Sequence, residues 1–479
     1  MKQQSFAIAL FTSLVASALF FSDGAMAAKS GGTAAGGNWG SGTAISPVNQ
    51  PDPTRGAQLN DIAVNASGLA VAAWDQYTYN YGGGATIGVA VQSGGRWNAP
   101  FTISGATGFS MNPRVAIGAD GTMAVSWTYE DPSTSVSSQR KAQVAVKPAG
   151  ASAWVTATLA QGPIGGVAIT QFVPVVVDAK GNVTAAWTTW DGSHSVIQAA
   201  TRAAGPSGAW SPPTSLAPGV SAMYPALSVD ARGDAAVVYS VSSCAGCNMP
   251  YVAQYSFRSG PTGSWSIPVN VSEAIVPYGS GYVTSPLVAL DANGLATVIY
   301  FGYGVEGTRQ LAPGNWTSPQ TVLAAPNAVS SYGGLDLGLD DGGNAIVAAW
   351  IFDASIGVDR SSVYVTRGTP GGGWTIPQRL TDPSVPVDAY ATRVAVSPDG
   401  SLALVGWIDH YHGTVQVAQL AGGLQSGGST WSTTTIGRGT AFSSFQEVLG
   451  LHAGSGTVAR AVWKNAKSGT QTYASSYRR

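Results

Sequence analysis

The stretch VVVDAKGNVTAAW, from Val175 to Trp187, recurs along the chain with small changes. Near-copies are LSVDARGDAAVVY from Leu227, VALDANGLATVIY from Val288 and VAVSPDGSLALVGW from Val394. Aligning the phrase gives eight copies at spacings of 50 to 61 residues. Their terminal aromatic residues are Trp74, Trp127, Trp187, Tyr239, Tyr300, Trp350, Trp407 and Trp463. Recurrence at such a period is typical of a repeat architecture.

Each copy predicts a β-hairpin. Val175 to Val177 is apolar on both faces, as in a strand that is buried on both sides. Asp178 to Gly181 is a turn, because Asp can bond the backbone two residues on and Gly accepts a positive φ. Val183 to Trp187 is the returning strand. The Gly-to-aromatic distance is six residues in five copies and seven in three, so we expect a β-bulge in the copies that end at Trp350, Trp407 and Trp463.

A second phrase alternates with the first: a Gly- or Ser-rich turn, a tryptophan and a short strand, as in GGRWNAPFTIS and TGSWSIPVNVS. A further strand precedes the phrase in all copies but the first, so each repeat contains four strands, which we label A to D. This pattern predicts an all-β, eight-bladed β-propeller of four-stranded blades. The tryptophans of the second phrase are Trp39, Trp97, Trp154, Trp210, Trp265, Trp316, Trp374 and Trp431.

The two ends of the chain predict how the repeats close. The N-terminal part begins with a lone D strand at Trp39, and the C-terminal part stops after a C strand, TQTYASSYRR. We therefore expect the N-terminal strand to complete the last blade, which removes an open sheet edge. A linear β-solenoid is the alternative, but it predicts capping repeats and not a D strand separated from its blade.

The N-terminus has the pattern of a secretory signal peptide. Met-Lys-Gln-Gln precedes an apolar run from Phe6 to Phe21, and Ala25-Met26-Ala27 is a small-x-small cleavage site. We expect residues 1–27 to be removed and residues 28–479 to form one propeller domain. The predicted location is outside the cytoplasm, in the periplasm or the extracellular space, and a membrane anchor is the weaker alternative because the run is short.

Composition excludes several classes of partner. Charged residues make up 10% of the chain and the formal net charge is −1, against roughly 25% charged residues in an average soluble protein. Nucleic acid and anionic lipid require clustered Lys and Arg, so we expect neither as a partner. No cofactor motif occurs, so we expect no cofactor, and we expect a monomer.

The pairing of the two phrases, xVAVDxxGxAxaxW with GGxWSxPxxLS, resembles secreted bacterial β-propellers of the broad sialidase-like, BNR-type superfamily. The resemblance covers essentially the whole mature chain and implies the propeller fold. The Asp boxes of true sialidases, Ser-x-Asp-x-Gly-x-Thr-Trp, and their Arg-x-Pro motif do not occur in the sequence. Their absence argues against glycosidase activity.

Function is expected on one face of the propeller. The A–B and C–D turns lie on one face and are generic, whereas the D–A and B–C loops lie on the other face and vary between repeats. Loops on a rigid scaffold usually carry function. Aromatic rings stack on sugars, and carboxylates and guanidinium groups hold hydroxyls or uronates. The candidate ligand-binding residues on this variable face are Tyr129, Trp190, Asp191, His194, Tyr303, Arg393, Asp409, His410 and His412.

The densest chemical cluster is DHYH, from Asp409 to His412. On an extended strand, His410 and His412 would share a face. Metal ligation would need a third ligand from another blade, so we expect no metal. With Tyr411, a proton-abstracting lyase site is an alternative to a solvated pair of loop histidines.

The repeat residues themselves have structural roles. The aromatic residues fill space between blades, and the turn aspartates form turns and do not ligate calcium; these are Asp178, Asp230, Asp291, Asp341 and Asp399.

The sequence favours a propeller that binds an extracellular ligand, which we expect to be a carbohydrate, through its variable face. A polysaccharide-active enzyme, either a glycoside hydrolase or a lyase, is the second hypothesis. A surface scaffold that binds another protein is the third. Scarce Glu and the missing catalytic motifs favour binding over hydrolysis.

Cys244 and Cys247, the two cysteines of the chain, are expected to form a local disulfide, because an exported protein meets an oxidising environment. No second ligand pair is spaced for zinc, and Asn248 stands where a c-type haem site has His. Thiol titration of the exported, denatured protein should find no free thiol. Two free thiols would contradict the pairing.

Overall fold

The computed structural model describes residues 38–46, 60–77, 84–131, 140–162, 172–242, 251–273, 284–302, 304–324, 331–352, 361–371, 373–424, 430–438, 449–454, 458–464 and 472–478. All of these lie in one compact region, Gly37–Arg479. Over these ranges the protein is all-β, consisting of strands joined by turns without an α-helix. None of the described segments is therefore a helix that could cross a membrane. Cys244, Cys247 and Tyr303 lie outside the described residues.

The strands form antiparallel units that follow one another along the chain. The first four units comprise β3 (Asn60–Val64), β4 (Ala70–Tyr77), β5 (Ala85–Ser93), β6 (Arg96–Trp97) and β7 (Phe101–Thr102); β8 (Phe109–Ile117), β9 (Met123–Glu130), β10 (Arg140–Lys147) and β11 (Val155–Gly162); β12 (Val175–Val177), β13 (Val183–Trp190), β14 (Ser195–Arg202) and β15 (Thr214–Ser215); and β16 (Ser221–Val229), β17 (Ala235–Ser242), β18 (Tyr251–Arg258) and β19 (Val269–Asn270).

Units 5 to 8 have the same order of strands. They comprise β20 (Thr284–Leu290), β21 (Ala296–Phe301), β22 (Val305–Ala312), β23 (Asn315–Trp316) and β24 (Gln320–Leu323); β25 (Ser331–Leu339), β26 (Ala345–Phe352), β27 (Ser361–Gly368) and β28 (Gln378–Arg379); β29 (Ala389–Val396), β30 (Ala403–Asp409), β31 (Thr414–Leu420) and β32 (Trp431–Arg438); and β33 (Leu449–Ala453), β34 (Val458–Lys464) and β35 (Thr472–Arg478). In every unit, strand A pairs with strand B, B with C and C with D.

The eighth unit takes its outer strand from the other end of the chain. The N-terminal strands β1 (Asn38–Trp39) and β2 (Thr43–Ala44) both pair antiparallel with β35. Trp39 lies opposite Tyr477, and Ala44 lies opposite Tyr473. The pairing that the sequence predicts for the lone N-terminal strand is confirmed.

The A–B turns have the predicted chemistry. In unit 3 the amide of Asp178 donates to the carbonyl of Asn182 at 3.0 Å. Oδ1 of Asp178 accepts from the amides of Lys180 and Asn182, both at 2.9 Å, and Gly181 has a φ of +86°. Two details differ from the prediction: Asp340 and not Asp341 occupies this position in unit 6, and Ser397 occupies it in unit 7, where Asp399 instead bonds Ser397 and Ser401.

Turns of neighbouring units touch each other. A Cβ atom built on Gly233 would lie 2.8 Å from Oδ2 of Asp178 in the preceding unit, and one on Gly343 would lie 3.2 Å from Oδ2 of Asp291. Both glycines also have positive φ values, which side chains rarely adopt. The Asp-to-Gly turn therefore varies little between copies because it must satisfy its own hairpin and its neighbour together.

The core consists of separate apolar clusters, each between two units that are consecutive along the chain or, in one case, between the last unit and the first. Within the described ranges there are eight such clusters. Trp187 is fully buried against residues of unit 2 such as Val144, whereas the adjacent Ala186 packs against unit 4. Strand B is thus buried on both faces, as its apolar sequence predicts.

The cluster around Trp74 joins the first unit to the last. It contains Ile62 and Trp74 of unit 1 together with Ile45 and Val462 of unit 8. Nε of Arg460 in unit 8 donates to Oε1 of Gln92 in unit 1. Unit 8 therefore packs on unit 1 through the same kind of interface that joins consecutive units.

The prediction of a β-bulge in the copies that end at Trp350, Trp407 and Trp463 is wrong. In unit 7 the extra residue lies in the turn, where the amide of Ser397 donates to Leu402, five residues on, so Trp407 keeps its face. In unit 8 the hairpin has the usual length, and its pairing has no register shift. In unit 6 the aromatic residue itself has moved: Ala349 occupies the usual position, and Trp350 packs on unit 7 with its ring 5.4 Å from that of Tyr390.

Bulges occur in strand A instead. In units 2, 4, 5, 6 and 7 two strand-A residues lie opposite one strand-B residue. The first residue of each pair has a positive φ; these are Asn112, Tyr224, Ser285, Gly334 and Ala391. In units 2, 4 and 5 the second residue is proline, which has no amide to donate to a ladder.

Replacing Trp187 by alanine should lower the free energy of unfolding by about 3–5 kcal/mol, because the fully buried ring leaves a cavity between units 2 and 3. Trp190→Ala is the matched control, since Trp190 lies three residues on and is 37% exposed. Denaturant unfolding of both variants measures the difference. Equal stability of the two variants would contradict this packing.

Acid should destabilise the protein partly through His452. This residue lies opposite Arg460 on β33 and β34, and burial lowers the pKa of His452 to about 4 from its usual 6.5. The unfolded chain therefore binds the proton more readily, and the free energy of unfolding falls as pH drops from 6.5 towards 4. Because the side chain keeps some exposure, we expect about 1–2 kcal/mol from this group.

The measurement is the pH dependence of unfolding for the natural protein and for His452→Gln. The variant should lose less stability between pH 7 and pH 4.5, because glutamine does not titrate. Parallel curves for the two proteins would exclude His452 as the source.

Candidate functional site

The variable face is built from two kinds of segment. One is the beginning of strand A, which lies before the bulge in the units that have one, and the other is the turn between strands B and C. Two of these B–C turns are described completely: residues 191–194 of unit 3 and residues 410–413 of unit 7. They carry six of the nine residues selected from the sequence, counting the flanking Trp190 and Asp409.

The turn of unit 3 is organised by Asp191. Its Oδ1 accepts from the amides of Ser193 and His194, both at 2.8 Å, and its own amide donates to the carbonyl of His194 at 3.1 Å. These amides, His194 first, lower the pKa of the exposed Asp191 carboxyl. The large ring of Trp190 stands partly exposed beside this turn.

The turn of unit 7 holds His412 against a buried carboxylate. Nδ1 of His412 lies 2.5 Å from Oδ2 of Asp409, and the amide of His412 donates to Oδ1 of the same residue at 3.3 Å. Asp409 is 3% exposed at the end of β30, while the His412 side chain is 40% exposed. The carboxylate therefore orients an imidazole that remains open to solvent.

A second carboxylate–imidazole pair lies beside the first. The amide of His410 donates to the carbonyl of Asp388 at 2.8 Å, and Nδ1 of His410 lies 3.3 Å from Oδ2 of Asp388. The other carboxylate oxygen of Asp388 accepts from Oγ of Ser361 at 3.1 Å. The hydrogen bond that Nδ1 of His410 donates to Asp388 raises the pKa of His410 above its usual value, although burial opposes the shift.

Aromatic rings complete the cluster of unit 7. The ring of Tyr390 lies 6.2 Å from that of His410, and the ring of Tyr411 lies 5.0 Å from that of His412. Tyr411 is largely exposed at the tip of the turn. We refer to Asp388, Tyr390 and residues 409–412 as the unit 7 cluster.

One prediction about this cluster is wrong. His410 and His412 do not share the face of an extended strand, because residues 410–413 form the turn between β30 and β31. Each imidazole instead bonds a different carboxylate. The turn places both rings at one end of the hairpin, and the alternation of faces along a strand does not apply to its residues.

The arrangement can transfer protons. When Nδ1 of a histidine donates to a carboxylate, the neutral ring carries its lone pair on Nε2, and the carboxylate stabilises the imidazolium that forms after protonation. Groups of this kind serve as general acids and bases near neutral pH. Within the described ranges, no group of three or more His, Cys, Asp or Glu side chains is placed to hold a metal ion.

The other selected residues lie in their own units. Tyr129 on β9 has Nζ of Lys141 5.1 Å above its ring. Arg393 follows the bulge of β29, and its Nη1 donates to the carbonyl of Thr392 at 3.0 Å. The structure thus assembles Asp409, His410 and His412 into one cluster and places Tyr129 and the turn of unit 3 in other units.

Sequence reasoning selected Arg393 but missed the charged residues at the same position of strand A in other units. Asp61, Arg114, Asp336 and Arg393 each lie four residues before the turn position of their unit. Oδ2 of Asp61 accepts from the amide of Val115 at 2.9 Å, and Oδ2 of Asp336 accepts from that of Val394 at 2.7 Å, so the aspartates link neighbouring units. Aligning the copies upstream of the turn would have revealed this shared position.

No protein-family model matches the chain, and no curated protein sequence matches it. Among solved structures it is similar to the polysaccharide lyase Uly1, with 14% identity, a TM-score of 0.44 and coverage of 95% of this chain and 94% of that one. It is also similar to an α-L-arabinanase of Penicillium chrysogenum (13%, 0.40, 65% and 94%) and to the Hadza microbial sialidase Hz136 (12%, 0.37, 73% and 75%). These likenesses are too distant to assign an activity.

Proposed function

We propose that the eight units close into a single eight-bladed β-propeller with strand A innermost. The support is the cluster of Ile62, Trp74 and Val462, which packs unit 8 on unit 1 as consecutive units pack on each other. In a ring of such units, only the outer strand of each unit remains as an open sheet edge. The two alternating sequence phrases of its repeat resemble those of sialidase-like propellers.

We further propose that the protein is exported and acts outside the cytoplasm. The apolar run from Phe6 to Phe21 and the Ala25-Met26-Ala27 site support export. Residues 28–479 then form the working domain, and its ligands are those that occur in the periplasm or the extracellular space.

The function that the geometry supports best is the enzymatic processing of an extracellular polysaccharide at the variable face. One observation carries this proposal: two adjacent solvent-open imidazoles, His410 and His412, each bonded through Nδ1 to its own carboxylate. Binding alone needs no such pairs, whereas proton transfer in bond cleavage does. The exposed rings of Tyr411 and Trp190 suit stacking on sugars.

His412→Asn should lower the turnover of a polysaccharide by about 10²- to 10⁴-fold, because it removes the imidazole oriented by the buried Asp409. The assay incubates the natural protein with a panel of neutral and acidic polysaccharides and follows the fall in viscosity and the appearance of new chain ends. Asp399→Asn, in the same unit but on the opposite turn face, is the control and should stay active. A folded natural protein that cleaves no polymer of the panel, or an undiminished His412→Asn variant, would refute the proposal.

Carbohydrate binding without chemistry is the second candidate function, and the exposed Trp190 beside the ordered turn of unit 3 favours it. Trp190→Ala should then weaken binding of the polymer that the natural protein retains, by about 1 kcal/mol or more, through loss of a stacking surface. Affinity electrophoresis on that panel measures the effect. Normal binding by Trp190→Ala would remove unit 3 from the binding surface.

A further inference from the structure

The two histidines of the unit 7 cluster lie at one end of a single hairpin. They lie two residues apart in a single four-residue turn between β30 and β31. Two residues of chain span at most about 7 Å between their Cα atoms, and both imidazole side chains are about half exposed at this turn, so both can reach one sugar or one glycosidic bond. A nearby acid–base pair on one side is a geometric constraint on the reaction.

That constraint disfavours inverting hydrolysis. An inverting glycosidase needs its acid and its base on opposite faces of the sugar ring, with room for a water between them. Retaining hydrolysis needs a carboxylate free to attack the sugar, but Asp388 and Asp409 are each bonded to a histidine, and Asp409 is buried. The cluster therefore lacks the carboxylate geometry of either hydrolytic route.

We propose that the unit 7 cluster cleaves a uronate-containing polysaccharide by β-elimination, with His412 as the general base and His410 as the general acid. The inference rests on the proposed function and adds the reaction, the substrate class and the two roles. Elimination requires a C–H bond next to a carboxyl group, which is why the substrate must contain uronic acid residues. The hydrogen and the leaving oxygen sit on adjacent carbons, within reach of one turn.

The step balances without an added reactant. Nε2 of His412 takes the proton from the carbon that bears the carboxylate, and the released electron pair forms a double bond to the neighbouring ring carbon. The bond from that carbon to the bridging oxygen breaks, and the oxygen takes a proton from Nε2 of His410. One product chain gains an unsaturated end, the other gains a hydroxyl, and exchange with solvent returns both histidines to their starting states.

The environments of the two histidines support this division. His412 is oriented by the shorter bond, 2.5 Å, to the buried Asp409, as suits a base that must take up a proton. His410 receives a raised pKa, first from its hydrogen bond to Asp388 and then from the charges of Asp388 and Asp409. It therefore holds its proton closer to neutral pH, as suits a donor.

The experiment uses the mature protein and a polyuronate that it cleaves. Each cleavage should create one unsaturated uronate, so the ultraviolet absorbance should rise in proportion to the number of new reducing ends. New reducing ends without this absorbance would overturn the elimination while leaving the proposed polysaccharide cleavage intact. Failure to cleave any polymer would instead overturn the proposed function.

A second substrate separates the two roles. A uronate with a nitrophenyl leaving group at the eliminated position needs no proton donor, because the phenolate leaves unaided. His410→Asn should lose at least 10²-fold in turnover on the polymer and recover most of it on the nitrophenyl substrate, whereas His412→Asn should be slow on both. Recovery by His412→Asn, or none by His410→Asn, would overturn the assignment.

Asp388→Asn tests the positioning of the acid by an independent measurement. Loss of its carboxylate should lower the pKa of His410, followed by NMR, and shift the alkaline limb of the rate profile to lower pH by the same amount. Asp399→Asn, on the opposite turn face of the unit, should leave both unchanged. An unchanged His410 pKa in Asp388→Asn would overturn the role of this pair.

Discussion

Burial of strand B on both faces is the constraint on which the rest of this protein depends. In unit 3, Trp187 packs on the preceding unit and Ala186 on the following one. A unit alone would expose both surfaces to water, so its stability comes from its neighbours. The eight apolar clusters within the described ranges are all interfaces, and none is the interior of a single unit. Such an arrangement favours closure, because every terminal unit of an open array has an uncovered face.

Contacts between units restrict the residues of the A–B turns but not those of the completely described B–C turns on the opposite face. The turns of units 3 to 6 bond themselves through an Asp side chain, and a turn can also touch that of the preceding unit, as Gly233 does with Asp178. A substitution at these positions therefore disturbs two hairpins together. The two B–C turns that the structure describes completely, those of units 3 and 7, share no such contact and have different chemistry on equivalent scaffolds.

In unit 7 the B–C turn contacts a residue that precedes strand A. Asp388 precedes β29 and His410 follows β30, and the pairing of these strands brings them together across 22 residues of sequence. The bulge at Ala391 and Thr392 adds a residue to β29 without displacing Asp388 from His410. Asp409 remains buried at the end of its strand, where it holds His412. Ordinary hairpin geometry thus gives two oriented imidazoles, each bonded to its own carboxylate.

The sequence by itself determined the all-β fold, the four strands of each repeat, the chemistry of the A–B turns and the pairing of the N-terminal strand with β35. The first three features follow from local periodicity and turn residues, which recur in the copies of the repeat. The fourth follows from a D strand that stands alone at the N-terminal end and is missing from the last repeat. The sequence also identified the segment 409–412 as chemically unusual, because charged and aromatic residues rarely cluster in this chain.

Only the tertiary structure decided which side chains meet. Trp350 moved to the opposite interface because its hairpin kept the usual turn while the aromatic residue moved by one position, and strand alternation reverses the face at each step. Strand pairing brings Asp388 beside His410. The pairing of strands A and B also shows that one position of strand A carries a charged residue in four units, namely Asp61, Arg114, Asp336 and Arg393. Contacts between distant segments depend on register, bulges and the packing of neighbouring units. Register, bulges and packing depend on residues that are far apart in the sequence, so a local stretch of sequence does not determine them.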